Sequence, residues 1–422
     1  MNWLILICII FIASESFARL AVFYGQARVI GQISAGIMLG IIFSVVPTDS
    51  VQSGAISDAI IALKPMGELA LIFIMFEIPW HITDANKSGQ AGGRLLPALV
   101  AIGGVGISFA FGILVAALSH EALAPDQPFW SYVMFCALAL SLTALPVLIS
   151  MTNDVTILPG AVISVSVFSA VYTDIFAWFA LAAVLALHYG DEAGFLGGAI
   201  NLLTLVCIAV LIAALVRPRL SKLTEFAKLG GRLQALVVLV CCLVLAELTS
   251  ILGYHHAIGA VLAGVLFYDL PKVRKLWRKW LGAFNALMLV PIFFAYAGLN
   301  LSVTGLFTLT SFIWICAFTV AGTLGKILGS YIAGRIGGLS PRTAVQIGIL
   351  TSTKGLIELV VLNVGLEEGV LSDVSYSVLL VASLTSTVLT LPLLKFFNRM
   401  GNVPHRPCDA DDRKRTSDSL GG

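Results

Sequence analysis

Charge is what this sequence has least of. Only 11% of its residues are Asp, Glu, Lys or Arg, 59% are apolar, and the mean hydropathy is +0.99. A water-soluble domain carries about twice that share of charge, so most of the 422 residues must face lipid or other apolar helices. The few Lys and Arg lie between long apolar runs rather than on one basic face, which argues against nucleic acid as a partner. The seven cysteines form no CxxC and no Cys/His cluster. Cys8, Cys136, Cys207, Cys241, Cys242 and Cys316 fall inside apolar runs, where Cys behaves as a small hydrophobe. No disulfide framework, resident metal site or cofactor is expected. HExxH, GxSxG and paired catalytic aspartates are missing too, which leaves an intramembrane enzyme as the poorest reading.

What the chain does have is membrane helix. A hydrocarbon core about 30 Å thick needs roughly 20 apolar residues of helix, and about thirteen such runs follow one another. Their expected spans are 3–24, 27–46, 60–82, 95–119, 129–152, 158–188, 196–216, 232–252, 254–270, 281–299, 305–334, 341–366 and 372–398. The start, MNWLILICII, lacks the positive charge of a signal peptide and reads as the first of these helices. Residues 1–398 are then one transmembrane unit, and 399–422 read as a polar, disordered cytoplasmic tail. No soluble domain is expected beside them.

The charged residues orient the spans. All Lys and Arg except Arg19, Lys64, Lys326 and Lys354 fall in alternate connections and in the tail, while the opposite connections hold Glu121, Asp126, Asp191, Glu192, Glu367 and Glu368. The positive-inside rule then predicts an outside N-terminus and a cytoplasmic C-terminus; the cell (inner) membrane is the expected location.

Two of the spans contain helix breakers at corresponding places. The fifth carries LSLTALPVLIS around Pro146 and the twelfth LTSTKGLIEL around Gly355. Paired interruptions of this kind mark inverted-repeat transporters, whose substrates bind where the helices break.

Ionisable groups inside apolar runs cost about 2.5–3.5 kcal/mol each on insertion scales, so each needs a partner, water or a function. Asp174, midway along SVFSAVYTDIFAW with Ser169, Tyr172 and Thr173 nearby, is the foremost of them. A carboxylate partly withdrawn from water can hold a proton or a cation but not both, which couples two opposing fluxes. Lys326, in AGTLGKILGSYIAG, is its expected counterpart, on a helix whose Gly325 and Gly329 permit close approach. Lys354 and Glu358 flank the twelfth-span break at i,i+4 and either neutralise each other or face the ion path. Ser141 and Thr143, before Pro146, are placed to lend oxygens from the other break. Glu15 and Arg19 are expected to pair within the first helix, Glu77 to reach the cytoplasmic interface, and Gly36 and Gly40 to serve packing. His255 and His256 read as residues of an outer turn.

Several stretches together resemble the cation:proton antiporter-2 superfamily, the Kef-type and NapA-like monovalent cation exchangers. GQARVIGQISAGIMLG (25–40), ALSLTALPVL (139–148), SAVYTDIFAW (169–178), LGYHHAIGAVLAGVLF (252–267), VPIFFAYAGL (290–299), LGKILGSYIAGRIGGLSPR (324–342) and TSTKGLIELVVLNVGL (351–366) look like that family's stretches and follow its order. The resemblance implies an all-α polytopic fold with an inverted repeat and two crossed discontinuous helices. It also implies a homodimer. Spans within 95–188 and 305–398 would form a mobile core, and spans within 3–82 and 232–299 a dimer and panel side. Asp174 matches the family's ion-binding carboxylate and Lys326 the basic residue facing it. Thr173 departs from the pattern, standing where charge-moving members carry a second acid, which suggests one-for-one exchange. With no nucleotide-binding domain expected in these residues, regulation of the Kef kind is expected only if a separate subunit supplies one.

The expected activity is therefore exchange of a monovalent cation, Na⁺ or K⁺, for H⁺ by alternating access across the lipid bilayer. A channel-like or ion-sensing protein, or an efflux carrier for an organic solute on the same fold, are the alternatives. The latter calls for a large hydrated cavity beside Asp174 and stabilisation by the solute, the former for downhill ion flow without a proton gradient.

Overall fold

The computed structural model describes residues 3–45, 62–87, 95–154, 158–188, 204, 208, 211, 214, 230–251, 256–267, 270–299 and 305–400. Regular structure among the described residues is wholly helical. In chain order the helices are α1 (Trp3–Phe23), α2 (Arg28–Val45), α3 (Lys64–Lys87), α4 (Leu95–Leu123), α5 (Phe129–Ser141), α6 (Leu145–Asp154) and α7 (Gly160–His188). There follow α8 (Gly231–Ile251), α9 (His256–Phe267), α10 (Pro271–Trp277) and α11 (Val290–Leu299). The last four are α12 (Leu309–Ile336), α13 (Pro341–Thr351), α14 (Leu356–Glu367) and α15 (Asp373–Met400). Six described helical stretches are long and apolar enough to cross a membrane, among them Leu4–Phe23, Leu95–Leu123 and Leu309–Ile336.

An internal repeat is plain in the lengths. The series α4 to α7 runs 29, 13, 10 and 29 residues, and α12 to α15 runs 28, 11, 12 and 28. Each series is a long helix, two half-helices and another long helix. A half-helix of about a dozen residues rises roughly 18 Å, about half a bilayer. The first and last helices of the two series interlock: α4 packs along α12, α12 against α15, and α7 against α4, α5 and α13. The other helices pack mainly among themselves, α1 on α2, α2 on α11, and α3 on α9 and α11. Small residues set the spacing. A methyl group on Gly325 of α12 would fall 2.6 Å from the Ser108 Cα of α4, so only glycine permits that approach.

Four details differ from the sequence reading. The fifth-span break lies at 142–144, before Pro146, which is the second residue of α6. Proline lacks only an N–H that a first helical turn leaves unpaired anyway, so here it opens a half-helix. The tenth span begins ten residues earlier than expected. Helix α10 continues through π-helical turns at Arg278–Gly282 and Asn285–Leu289 into α11, because Val273 and Trp277 bury one side of an otherwise basic helix. Helix α15 runs to Met400 and takes in Arg399, whose charge suits a helix C-terminus, so the tail begins later than 399. Glu77 does not snorkel to the interface: its Oε1 accepts the Trp277 Nε1–H at 2.9 Å. The seventh span (196–216), His255 and the tail beyond 400 lie essentially outside the described residues.

The Glu77–Trp277 bond ties α3 to the start of the π-helical stretch, within an aromatic cluster of Phe73, Phe76 and Trp80. Trp277 is 1% exposed, so an indole N–H without an acceptor there costs its desolvation. Glu77→Ala should lower stability by about 1.5–3 kcal/mol. Trp277→Phe should cost a similar amount, and the double variant little more than either. Thermal unfolding in detergent checks this; additive losses would show that the bond is not the shared cause.

Candidate functional site

The two breaks meet. Ala144 N–H donates to Thr353 O at 3.0 Å, and Thr143 Oγ1 donates to Thr351 O at 2.8 Å. These bonds supply partners for backbone that leaves helical geometry, as irregular backbone at membrane depth requires. A methyl on Gly355 would fall 2.7 Å from a Val147 methyl and 3.2 Å from Ala144 Cβ. Close contact between the breaks, more than any turn geometry, explains the glycine. Ser141 lies at the end of α5 and donates to Leu138 O at 2.7 Å. Ser141 and Thr143 thus spend their protons on carbonyls and keep lone pairs free.

Lys354 occupies the second break. Its Nζ donates to Ala139 O at 3.1 Å and to Leu140 O, at the C-terminal end of α5, and lies 3.7 Å from Glu358 Oε1. Carbonyls at that end carry the negative pole of the half-helix, which a cation there offsets. Lys354 and Glu358 are both buried, each 2% exposed. Glu358 Oε1 also accepts from Ser383 Oγ at 2.6 Å, while Oε2 has no hydrogen-bond partner. Thr387 Oγ1 donates to Lys354 O at 2.8 Å and accepts the Lys354 N–H at 2.9 Å. The pair therefore neutralises itself and caps the crossing as well.

Asp174 sits at the midpoint of α7, 4% exposed. Neither of its carboxyl oxygens has a hydrogen-bond partner. Thr173, beside it, is buried and donates to Ser169 O at 3.0 Å, so its hydroxyl proton is engaged within the helix. Lys326 of α12 is 1% exposed and feels the charges of Asp174, Lys354 and Glu358. No ion pair within 4.0 Å joins Lys326 to Asp174, and among the described residues Lys326 makes no other. The structure thus gathers two buried acids and two buried lysines at the centre of the repeat. One acid and one lysine are joined to each other and to the breaks, and the other two are held apart. A buried carboxylate with both oxygens unpartnered is suited to bind a proton or a dehydrated cation.

Sequence reasoning missed Ser383 and Thr387. Their signal was the hydroxyl run SLTSTVLT within an apolar span, which puts residues 383 and 387 on one helix face. It also missed the partner of Lys64, which is Glu367 at 2.7 Å. Glu15 pairs with Arg19 at 2.9 Å as expected, and also with Arg28 at 2.6 Å. His256 begins α9 with Nδ1 3.9 Å from Glu247 Oε2. An apolar cavity of about 460 Å³ lies between α4 and α7, with Tyr172, Thr173 and Phe176 on its wall.

The fold and sequence both have relatives. In the structure of the sodium proton antiporter MjNhaP1 from Methanocaldococcus jannaschii the same fold appears, with a TM-score of 0.61 over 94% of this chain and 97% of that one at 14% identity. The Na(+)/H(+) antiporter NhaS4 of Synechocystis is 29% identical over 386 residues, covering 88% of this chain and 91% of that protein. Cation/H(+) antiporter 15 of Arabidopsis thaliana is 26% identical over 88% of this chain. K(+)/H(+) antiporter 1 of Saccharomyces cerevisiae is 27% identical over 87%. The chain spans less than half the length of these last two, 45% and 43%. The family model for the transmembrane sodium/hydrogen exchanger matches residues 5–396. Together with the repeated helices and their interlocked breaks, that match establishes an integral, multi-pass membrane protein belonging to the sodium/hydrogen exchanger family.

Proposed function

We propose that this chain exchanges a monovalent cation, Na⁺ or K⁺, for H⁺ by alternating access, with Asp174 as the site that holds either one. The observation that carries this is the Asp174 carboxylate, buried at mid-helix with both oxygens unpartnered. A proton cancels its charge, and a cation does the same with oxygen ligands added. The bare anion is the costly state, so the empty site resists crossing and the two loaded states do not. Lys326 of α12 is the buried lysine that the structure holds apart from Asp174. Thr173, Ser141 and Thr143 supply uncharged oxygens in the same region, and oxygen ligands suit a hard cation.

Helices α4–α7 and α12–α15 act as the moving core in this reading, and α1–α3 with α8–α11 as the panel on which a second copy assembles. Support comes from the packing: contacts are extensive within each set, and the elements that meet across the seam (α3 with α7, α2 with α15, α11 with α14) share far less. The N-terminus outside and C-terminus inside follow from the placement of Lys and Arg.

The test is reconstitution in liposomes holding a pH dye, with an imposed proton gradient and Na⁺, K⁺ or Li⁺ added outside. Cation-dependent collapse of the gradient is the expected result and names the ion. No response to any cation from folded protein would remove the exchange reading. Because Thr173 is not an acid, one carboxylate cycles between one proton and one cation, and exchange should move no net charge. A transport current reversing with membrane potential would overturn that stoichiometry.

A further inference from the structure

Lys64 is the first residue of α3 and Glu367 the last of α14. Each charge sits at the end of its helix where the dipole opposes it: a cation belongs at a C-terminus and an anion at an N-terminus. Local helix stability therefore explains neither residue. What explains both is the other, since Lys64 Nζ lies 2.7 Å from Glu367 Oε1. This bond crosses the seam between the panel and the core. Beneath it is a cavity of about 50 Å³ between α3, α11 and α14, walled by Glu68, Leu71, Tyr296, Val360 and Asn363. That is room for a water or a small ion. Glu68 and Tyr296 are the other titratable groups facing Lys64. Tyr376 OH donates to Asn363 Oδ1 at 2.8 Å, fixing that wall to α15.

The far end of α14 carries the Lys354–Glu358 pair at the crossing. Any displacement of the core relative to α3 must therefore move Glu367 away from Lys64. We propose that Lys64 and Glu367 are positioning residues for transport: a latch that closes the outer entrance, formed in one access state and broken in the other. The lysine acts as a tethered cation. It neutralises Glu367 while the entrance is shut, and when the ends part it leaves Glu367 and Glu68 exposed to incoming cations. This rests on the alternating-access reading above and adds to it the group that governs outer access.

The experiment places a cysteine at Val360, which is 4% exposed on the cavity wall. Its labelling by a membrane-impermeant thiol reagent is then measured in sealed vesicles, against the parent chain to subtract native cysteines. Glu367→Lys opposes two ammonium groups and should speed labelling about fivefold, the scale on which a half-exposed ion pair biases a two-state equilibrium. The swap Lys64→Glu with Glu367→Lys should restore slow labelling. Lys64→Gln offers the same comparison if the reversed charge does not accumulate. Unchanged labelling in the single variants, or fast labelling in the swap, would overturn the latch. Labelling requires no exchange, so a chain that shows this pattern without cation-dependent proton flux keeps the latch and loses only the transport reading.

Discussion

Asp174→Asn should abolish cation-dependent proton flux while leaving the protein at least as stable as before. The amide keeps the shape of the carboxyl group, but it can neither take up a proton nor attract a cation by charge. An interaction of about 3 kcal/mol between a buried carboxylate and its ion corresponds to roughly a hundredfold in affinity, so residual flux should fall to the level of empty liposomes. Stability should move the other way. Both Asp174 oxygens are buried without partners, and an ionised group in that position is a cost that Asn removes. Loss of flux with an unchanged or raised unfolding temperature is the expected pair of results. Retained flux would leave exchange standing and overturn Asp174 as its site. Loss of flux with a collapsed fold would leave the assignment to Asp174→Glu, which keeps the charge and should retain part of the activity.

The helices were legible in the sequence because a bilayer imposes a length and a polarity on each span, and runs of about 20 apolar residues satisfy their backbone polar groups within lipid as helices. Breaks were legible for a related reason: Pro146 and Gly355 interrupt runs that lipid would otherwise leave continuous. Their positions were less so. Pro146 looked like the interruption and is instead the opening of the following half-helix, since proline is tolerated in a first turn. The basic run 272–279 looked like a loop because its charges outnumber its apolar residues. Its helical state rests on Trp277 finding a buried acceptor in Glu77, and a contact across 200 residues leaves no local trace.

Side-chain partnerships were the least legible part. Asp174 stood out as an acid in an apolar helix, Lys326 as its expected counterpart and Lys354 as the i,i+4 neighbour of Glu358. The structure separates them. Lys354 is committed to two carbonyls of α5 and to Glu358, whereas Lys326 is joined by no ion pair to Asp174 or any other described residue. The i,i+4 spacing showed Glu358 as a partner of Lys354, but backbone carbonyls at the end of a half-helix carry no residue signature, so its two α5 acceptors cannot be read from composition or spacing. The Lys64–Glu367 pair was hidden similarly, its members lying at opposite ends of the chain.

That division predicts different consequences for the two lysines, the larger at Lys354. Lys354→Met would leave Glu358 as an uncompensated charge at 2% exposure and remove the donor that two α5 carbonyls share. Breaking a buried pair from one side costs about 3–5 kcal/mol, a loss large against the marginal stability of most folded chains. Adding Glu358→Gln should recover a good part of it. The amide can still accept the Ser383 hydroxyl proton, and no charge is left behind; the α5 carbonyls remain short of a donor, so recovery should be incomplete. A double-mutant cycle on unfolding in detergent should therefore give a coupling of about 2 kcal/mol or more between the two positions. Lys326→Met breaks no ion pair with a described residue, and removing that buried ammonium should leave stability level or raised while changing cation-dependent flux. Additive losses at 354 and 358 would show that their carboxylate and ammonium act independently, and the crossing would then rest on its backbone bonds alone.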